Sequence, residues 1–328
     1  MTLGIFLMTN TEIVAKPLST EDTQLANQRI VFVIAYMITL VAANIANSPI
    51  RTICFDITPP SLHNLVSNLC SLFSSLGGIL VNLIGAFKLY KYTTLGQEQF
   101  LILTSLIFIA LSLAITLFSA KEKPLTHSVD QRKPFHNIFN AIKTITPTFT
   151  RAAVPYVFAQ LSLYQFSFLF SHFFGCDIFQ GDNSSNASME KKARYQEGLS
   201  WVLVCNTVRF ITQFLYALIN TKICDLIGMK NTSVIGYFLL AFGLLSFLFV
   251  TNKNIYIIIS MLIGIGFAIT TSIPIAIVSI ISPPKENGIY IGLLTMFMVI
   301  GEQFSNFVFG KFMDLIGFND SKYLIGYS

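Results

Sequence analysis

Eight separate apolar runs, each about twenty residues or longer, dominate this chain, and few architectures can accept so many. A bilayer core of ~30 Å is crossed by ~20 helical residues whose backbone groups bond within the segment. The runs extend from Ile30 to Ile50, Ser61 to Phe87, Phe100 to Ala120, Ala152 to Phe174, Leu199 to Thr221, Thr232 to Thr251, Ile255 to Ser282 and Gly288 to Gly317. Each passes that length test. Charged residues make up 11% of the 328, with a mean hydropathy of +0.66, whereas a soluble domain carries about twice that charge. These values exclude a soluble globular enzyme, a disordered chain and a disulfide scaffold. The expected fold class is an all-α, multi-pass integral membrane protein, in the plasma membrane or in a vacuolar or other endomembrane.

The polar connection from Lys121 to Arg151 divides the runs into three and five. The expected organisation is therefore a partial N-terminal bundle (1–120), a central loop (121–151) and a C-terminal bundle (152–328). A short apolar run, Thr2 to Met8, is too short to span and lacks the charged start of a signal peptide. It reads as the tail of a further span upstream. Basic residues number ten on each face, with Arg209 inside a run, so orientation rests on clustering. Lys121, Lys123, Arg132, Lys133, Lys143 and Arg151 make the central loop the cytoplasmic candidate. The opposite face then carries two glycosylation acceptors, Asn183 and Asn186, while the Asn231 sequon faces the cytosol and is silent.

Of the five cysteines, Cys54, Cys70, Cys205 and Cys224 read as small buried hydrophobes, and Cys176 as part of a polar loop. The formal charge of +5 is spread over loops with no basic helix, so nucleic acid is not an expected partner. His63, His127, His136 and His172 share no metal-ligand spacing, and no phosphate-binding glycine motif is present. Neither a cofactor nor a metal is expected, and no catalytic constellation emerges.

Lys222-Ile-Cys-Asp225-Leu-Ile-Gly228 recurs as Lys311-Phe-Met-Asp314-Leu-Ile-Gly317, three helices later, as an inverted three-helix repeat would produce. Asp and Gly marking the ends of spans would give the same pattern. The first copy, Thr221-x-x-x-Asp225-x-x-Gly228-x-Lys230, also resembles the loop motif of the major facilitator superfamily, with Thr in place of its leading Gly. In that motif an acid near a helix end and a base beyond the turn latch neighbouring helices in one state, which makes Asp225 and Lys230 gating candidates.

A closer resemblance covers most of the chain. Asn44-Ile-Ala-Asn-Ser-Pro49-Ile-Arg51-Thr-Ile-Cys-Phe-Asp56 is similar to the fourth-helix signature of sucrose transporters, within the glycoside-pentoside-hexuronide cation symporter family. Gly264 to Ser279, with its Ser272-Ile-Pro274-Ile-Ala core, resembles that family's tenth helix, and Gly288-Ile-Tyr-Ile-Gly292 the start of its eleventh. Asn68, Gly77-Gly78 and Tyr195-x-x-Gly198 fall in matching places. On this alignment the eight runs are family helices four to eleven, in a major facilitator-like bundle. The resemblance implies a carrier for sucrose or a related glycoside, coupled to a proton and working by alternating access between two bundles. Its partners are the sugar, the proton and the lipid bilayer.

Ionisable residues inside a bilayer cost ~2.5 kcal/mol or more, so those present are functional candidates. Arg209 and Glu302 lie mid-span, either facing a wet cavity as proton-coupling groups or forming a structural salt bridge. Arg51 matches a family arginine tied to sugar binding and gating, with Asp56 as its gate partner, yet an arginine at a span end also serves as a membrane anchor. Asn44 and Asn47, about one turn apart, suit sugar hydroxyls or interhelical hydrogen bonds. Gln160, Tyr164, Gln165 and His172 alternate with Phe in the fourth run, a composition compatible with a saccharide or with packing. Asn44, Arg51, Gln165, Asn206, Glu302 and Gln303 are thus the candidate sugar contacts.

The departures from the family also count. Its coupling Asp on the fourth helix falls on Leu40, which cannot change charge, and its seventh-helix acids fall near Ser171 and His172. Glu302 and His172 are the nearby replacements. Three readings therefore stand: a glycoside:proton symporter, an uncoupled sugar facilitator, and a non-transporting, truncated membrane protein.

Overall fold

The computed structural model describes residues 2–18, 24–87, 89–93, 97–119, 134–143, 145–184, 187–250, 252–283 and 286–316, with no side chain described beyond 305. Among them there is no β-strand. The α-helices are α1 (Thr2–Thr9), α2 (Thr11–Ala15), α3 (Gln24–Asp56), α4 (His63–Ala86), α5 (Gln97–Ser119) and α6 (Pro134–Lys143). They continue as α7 (Pro147–His172), α8 (Met189–Ile227), α9 (Met229–Leu245), α10 (Ile255–Ile281) and α11 (Asn287–Ile316). Eight helices, α3 to α5 and α7 to α11, are long and apolar enough to cross a membrane, one for each apolar run.

The chain forms two compact units. One comprises residues 1–53 and 87–129, and so contains α1, α2, most of α3 and α5. On its long helices Phe32, Ile34, Leu111 and Phe118 are exposed, as suits surfaces whose solvent is lipid. Where α1 meets α3, Gly4 has no room for a Cβ, which would fall 2.3 Å from the Thr39 hydroxyl. Thr39 itself donates to the Ala35 carbonyl, 2.9 Å away on the turn below.

The other unit comprises residues 54–86 and 130–328. Within it α10 is central, packing on α4, α7, α8, α9 and α11. Two thirds of its most apolar window is buried, 67% against 17% for α4. Small residues permit that centrality. A Cβ at Gly264 would lie 2.5 Å from the Arg209 carbonyl oxygen, so glycine lets the α10 and α8 backbones touch.

One end of this unit is sealed by aromatic rings. Phe166, Phe170, Phe173, Phe174, Phe247 and Tyr256 form one buried cluster, largely edge to face with centroids 4.5 to 6.0 Å apart. A second core joins α7, α10 and α11 through Phe149, Ile275, Tyr290 and Leu294.

Two details differ from the sequence expectation. Cys176 does not sit in a polar loop: Phe173–Ile178 prolongs α7 as a π-helical turn. Gly175 in that turn meets Gly198 of α8, whose Cβ would lie 2.8 Å from the Gly175 Cα. All five cysteines are free thiols. Further, α8 runs for 39 residues, well beyond Leu199 to Thr221, because Ser188 caps a polar first segment by accepting from the Lys191 amide at 3.3 Å.

Candidate functional site

The polar residues of α8 follow a pattern: Asn206, Arg209, Gln213 and Asn220 are spaced by three, four and seven residues. That spacing aligns them on one face of a helix. Gln213 and Asn220 meet the polar residues of α4, and Asn220 those of α10, in a hydrogen-bonded seam. Asn220 Nδ2 donates to Asn68 Oδ1 at 2.5 Å and to Ser272 Oγ at 3.1 Å. Asn68 Nδ2 donates onward to Thr221 Oγ1 at 2.9 Å, and Ser67 Oγ to the Ser272 carbonyl at 2.6 Å. Just over two turns along α8 from Thr221 toward its N-terminus, Gln213 Nε2 donates to Ser71 Oγ at 3.2 Å.

Ser67, Asn68, Ser71, Gln213, Asn220 and Ser272 are all buried. Each bond of this kind contributes roughly 0.6 kcal/mol, up to ~1.7, in a bilayer. Collectively they fix the register of three helices in a way that greasy packing does not. Gln213 Oε1 remains enclosed without a partner.

Arg209 lies one turn before Gln213 and is 7% exposed. Its guanidinium carbon sits 4.5 Å from the Phe210 ring centroid, 5.1 Å from that of Phe267 and 5.9 Å from that of Phe166. Each face-on ring is worth up to ~2 kcal/mol when desolvated, so three offset much of the ~2.5–3.5 kcal/mol insertion cost of the charge. The rings do nothing for the N–H donors. Nε and Nη1 are enclosed and form no hydrogen bond. The ion pair formed among the described residues is Arg194 with Glu190, 2.7 Å apart and exposed, so Arg209 and Glu302 are not bridged. Half-buried Glu302 forms neither a hydrogen bond nor an ion pair among the described residues.

The other candidates are dispersed. Gln165 is buried in α7 and gives its amide to Ser305 of α11, a direct tie between the two helices. Asn206 is half-buried and Gln303 exposed. In the first unit, Asn44 Nδ2 bonds the Leu40 carbonyl of its own helix at 3.1 Å, and Arg51 Nε bonds Asn47 Oδ1 at 3.1 Å. Asp56, Asp225 and Lys230 are exposed. Asp225 and Lys230 flank Gly228, whose φ of 84° makes it the single non-helical residue between α8 and α9.

Asn183 is exposed in the loop before α8, next to a turn in which the Ser184 amide donates to Asp182 Oδ1 at 2.8 Å. That bond holds the Asp182 carboxyl below its ordinary range. Asn186 lies outside the described residues, as do the side chains of the second repeat copy, Lys311 and Asp314.

A cavity of about 510 Å³ opens between α7 and α11, walled by Phe149, Val157, Phe158, Phe297, Ile300 and Phe304. Thr150 supplies its one polar side chain, so this apolar groove suits hydrocarbon rather than a polyhydroxylated solute.

Sequence reading found Arg209 and Glu302 by their charge and Asn68 and Ser272 by resemblance. It missed Gln213 and Asn220 as helix-to-helix contacts, although the 3-4-7 spacing from Asn206 carried that signal.

The family model of the Major Facilitator Superfamily matches residues 2–302. The chain belongs to the Major Facilitator Superfamily, an all-α membrane transporter family, and it is an integral multi-pass protein of that class. No curated protein matches the chain.

Proposed function

We propose that the chain is a secondary active carrier for sucrose or a related glycoside, coupled to protons and working by alternating access. The substrate class rests on the resemblance of Asn44 to Asp56 and Gly264 to Ser279 to sucrose-transporter helices. The observation that carries the reading is the seam: Ser272, in the core of the resembling α10 segment, is bonded by Asn220 of α8 and Ser67 of α4. Alternating access shifts helices against one another, and interhelical hydrogen bonds of roughly 0.6 kcal/mol each are weak enough to be exchanged as they move.

In this reading Asn44, Arg51, Gln165, Asn206 and Gln303 contact sugar, while Glu302 and Arg209 serve proton coupling. Asp56, Asp225 and Lys230 gate the path. The central loop 121–151 faces the cytoplasm between a bundle of 1–120 and one of 152–328, and Asn183 and Asn186 face the opposite side. Leu40, where the resembling family has an acid, favours a second reading, an uncoupled facilitator.

Uptake of radiolabelled sucrose or maltose into vesicles, with and without an imposed proton gradient, tests both readings. Gradient-stimulated uptake supports symport. Uptake indifferent to the gradient leaves the facilitator, and no uptake of either sugar removes the glycoside assignment.

A further inference from the structure

Arg209 and Gln213 leave complementary hydrogen-bonding capacity unfilled one turn apart on the same helix. Arg209 offers enclosed Nε and Nη1 donors with no acceptor, and Gln213 offers an enclosed Oε1 acceptor with no donor. Both residues are more than nine-tenths buried, at 7% and 0% exposure. The guanidinium stays protonated under all ordinary conditions, so the charge persists and its unfilled donors favour an anionic acceptor. Among the described residues no acid supplies one: the only ion pair is the exposed Arg194–Glu190 pair. The rings of Phe166, Phe210 and Phe267 hold the fork in place and exclude water, yet accept none of its N–H groups.

Residues four apart on a helix have Cβ atoms ~6 Å apart, so the two side chains share one face. A ligand satisfying both therefore carries a carboxylate, to take the fork, and a separate hydroxyl farther along its chain, to donate to Gln213 Oε1. We infer that Arg209 and Gln213 form one end of a solute site that takes a hydroxy-carboxylate. This rests on the chain being a carrier, and it assigns a polyhydroxylated acid as solute in place of a neutral glycoside. Conversion of the carboxylate to an alcohol abolishes recognition, because two buried donors then remain unpaired.

Binding of radiolabelled gluconate to the purified full-length protein in nanodiscs, read by scintillation proximity, tests this. Unlabelled gluconate should displace the label, whereas sorbitol, which is gluconate with its carboxylate replaced by CH₂OH, should not. Arg209→Gln should weaken gluconate binding roughly 30-fold or more, and Arg209→Lys less, the charge being kept and the fork lost. Circular dichroism and size-exclusion profiles matching the unaltered protein confirm that both variants are folded.

Absent gluconate binding, displacement by sorbitol as effective as by gluconate, or a folded Arg209→Gln variant that binds gluconate unchanged would each overturn the inference. Parallel sucrose binding separates it from the glycoside reading. Sucrose bound equally by the Arg209→Gln and unaltered proteins, without gluconate binding, sinks this inference and leaves that reading standing. Gluconate bound without sucrose does the reverse.

Discussion

Asn220 on α8 and Asn68 on α4, 152 residues apart in the chain, share a buried amide hydrogen bond of 2.5 Å. The bond belongs to a buried polar seam between the two helices, and its loss strands an acceptor in their interior. Asn220→Leu should therefore destabilise the folded protein by about 1–3 kcal/mol. The double variant Asn68→Leu/Asn220→Leu should recover part of that loss, since both partners are then removed. Unfolding measured in a bilayer or mild detergent decides this, and a double variant worse than the sum of the singles would show that packing, not pairing, matters.

Gly264 permits contact between the α10 backbone and the Arg209 carbonyl. Gly264→Ala places a methyl 2.5 Å from that oxygen, which is main chain and cannot swing aside. The expected cost is about 1–3 kcal/mol, with altered solute affinity because Arg209 moves with its backbone. Gly77→Ala, which meets nothing within 4 Å, is the matched control and should be neutral. Equal thermal midpoints for the two variants would contradict the close approach.

Glu302 is the half-buried acid assigned to coupling in the proposed symport. Glu302→Gln removes its capacity to carry a proton while preserving shape, so uptake should lose its response to a proton gradient but continue down a sugar gradient. Vesicle uptake at matched internal and external pH, against uptake with the outside made acidic, is the measurement. An unchanged response to the gradient would assign coupling elsewhere or to no residue.

Asn183 is exposed beside the Ser184–Asp182 turn and faces the non-cytoplasmic side in the proposed topology. Expressed in a glycosylating host, the protein should shift down in apparent mass after endoglycosidase. Asn183→Gln should remove at least part of that shift, and Asn231→Gln none of it. A glycan on Asn231 would invert the orientation.

The spans were legible because hydropathy reports the solvent a helix sees, and α3 and α5 leave most of their apolar side chains exposed. Polar helical extensions were not. The first turns of α8, with Glu190, Lys191, Lys192 and Arg194, stand beyond the apolar segment, so only the Ser188 cap marked where the helix begins. Beyond Phe174 the π-helical turn reads in sequence as loop because Gly175 and Asp177 lower local hydropathy, whereas Gly175 is there to admit Gly198.

For the site, charge exposed Arg209 and Glu302, since an ion in hydrocarbon is conspicuous in any sequence. Which groups meet is a matter of long-range register. Gln165 with Ser305 and Asn68 with Asn220 lie 140 and 152 residues apart, a distance over which composition carries no pairing information.

With a single residue, Gly228, standing between a 39-residue helix and the next, α8 and α9 have almost no slack at their shared end. A long rod tilting about a joint that short works as a lever. Any tilt of α8 passes straight into the first turn of α9, because one residue leaves no flexible loop to absorb it.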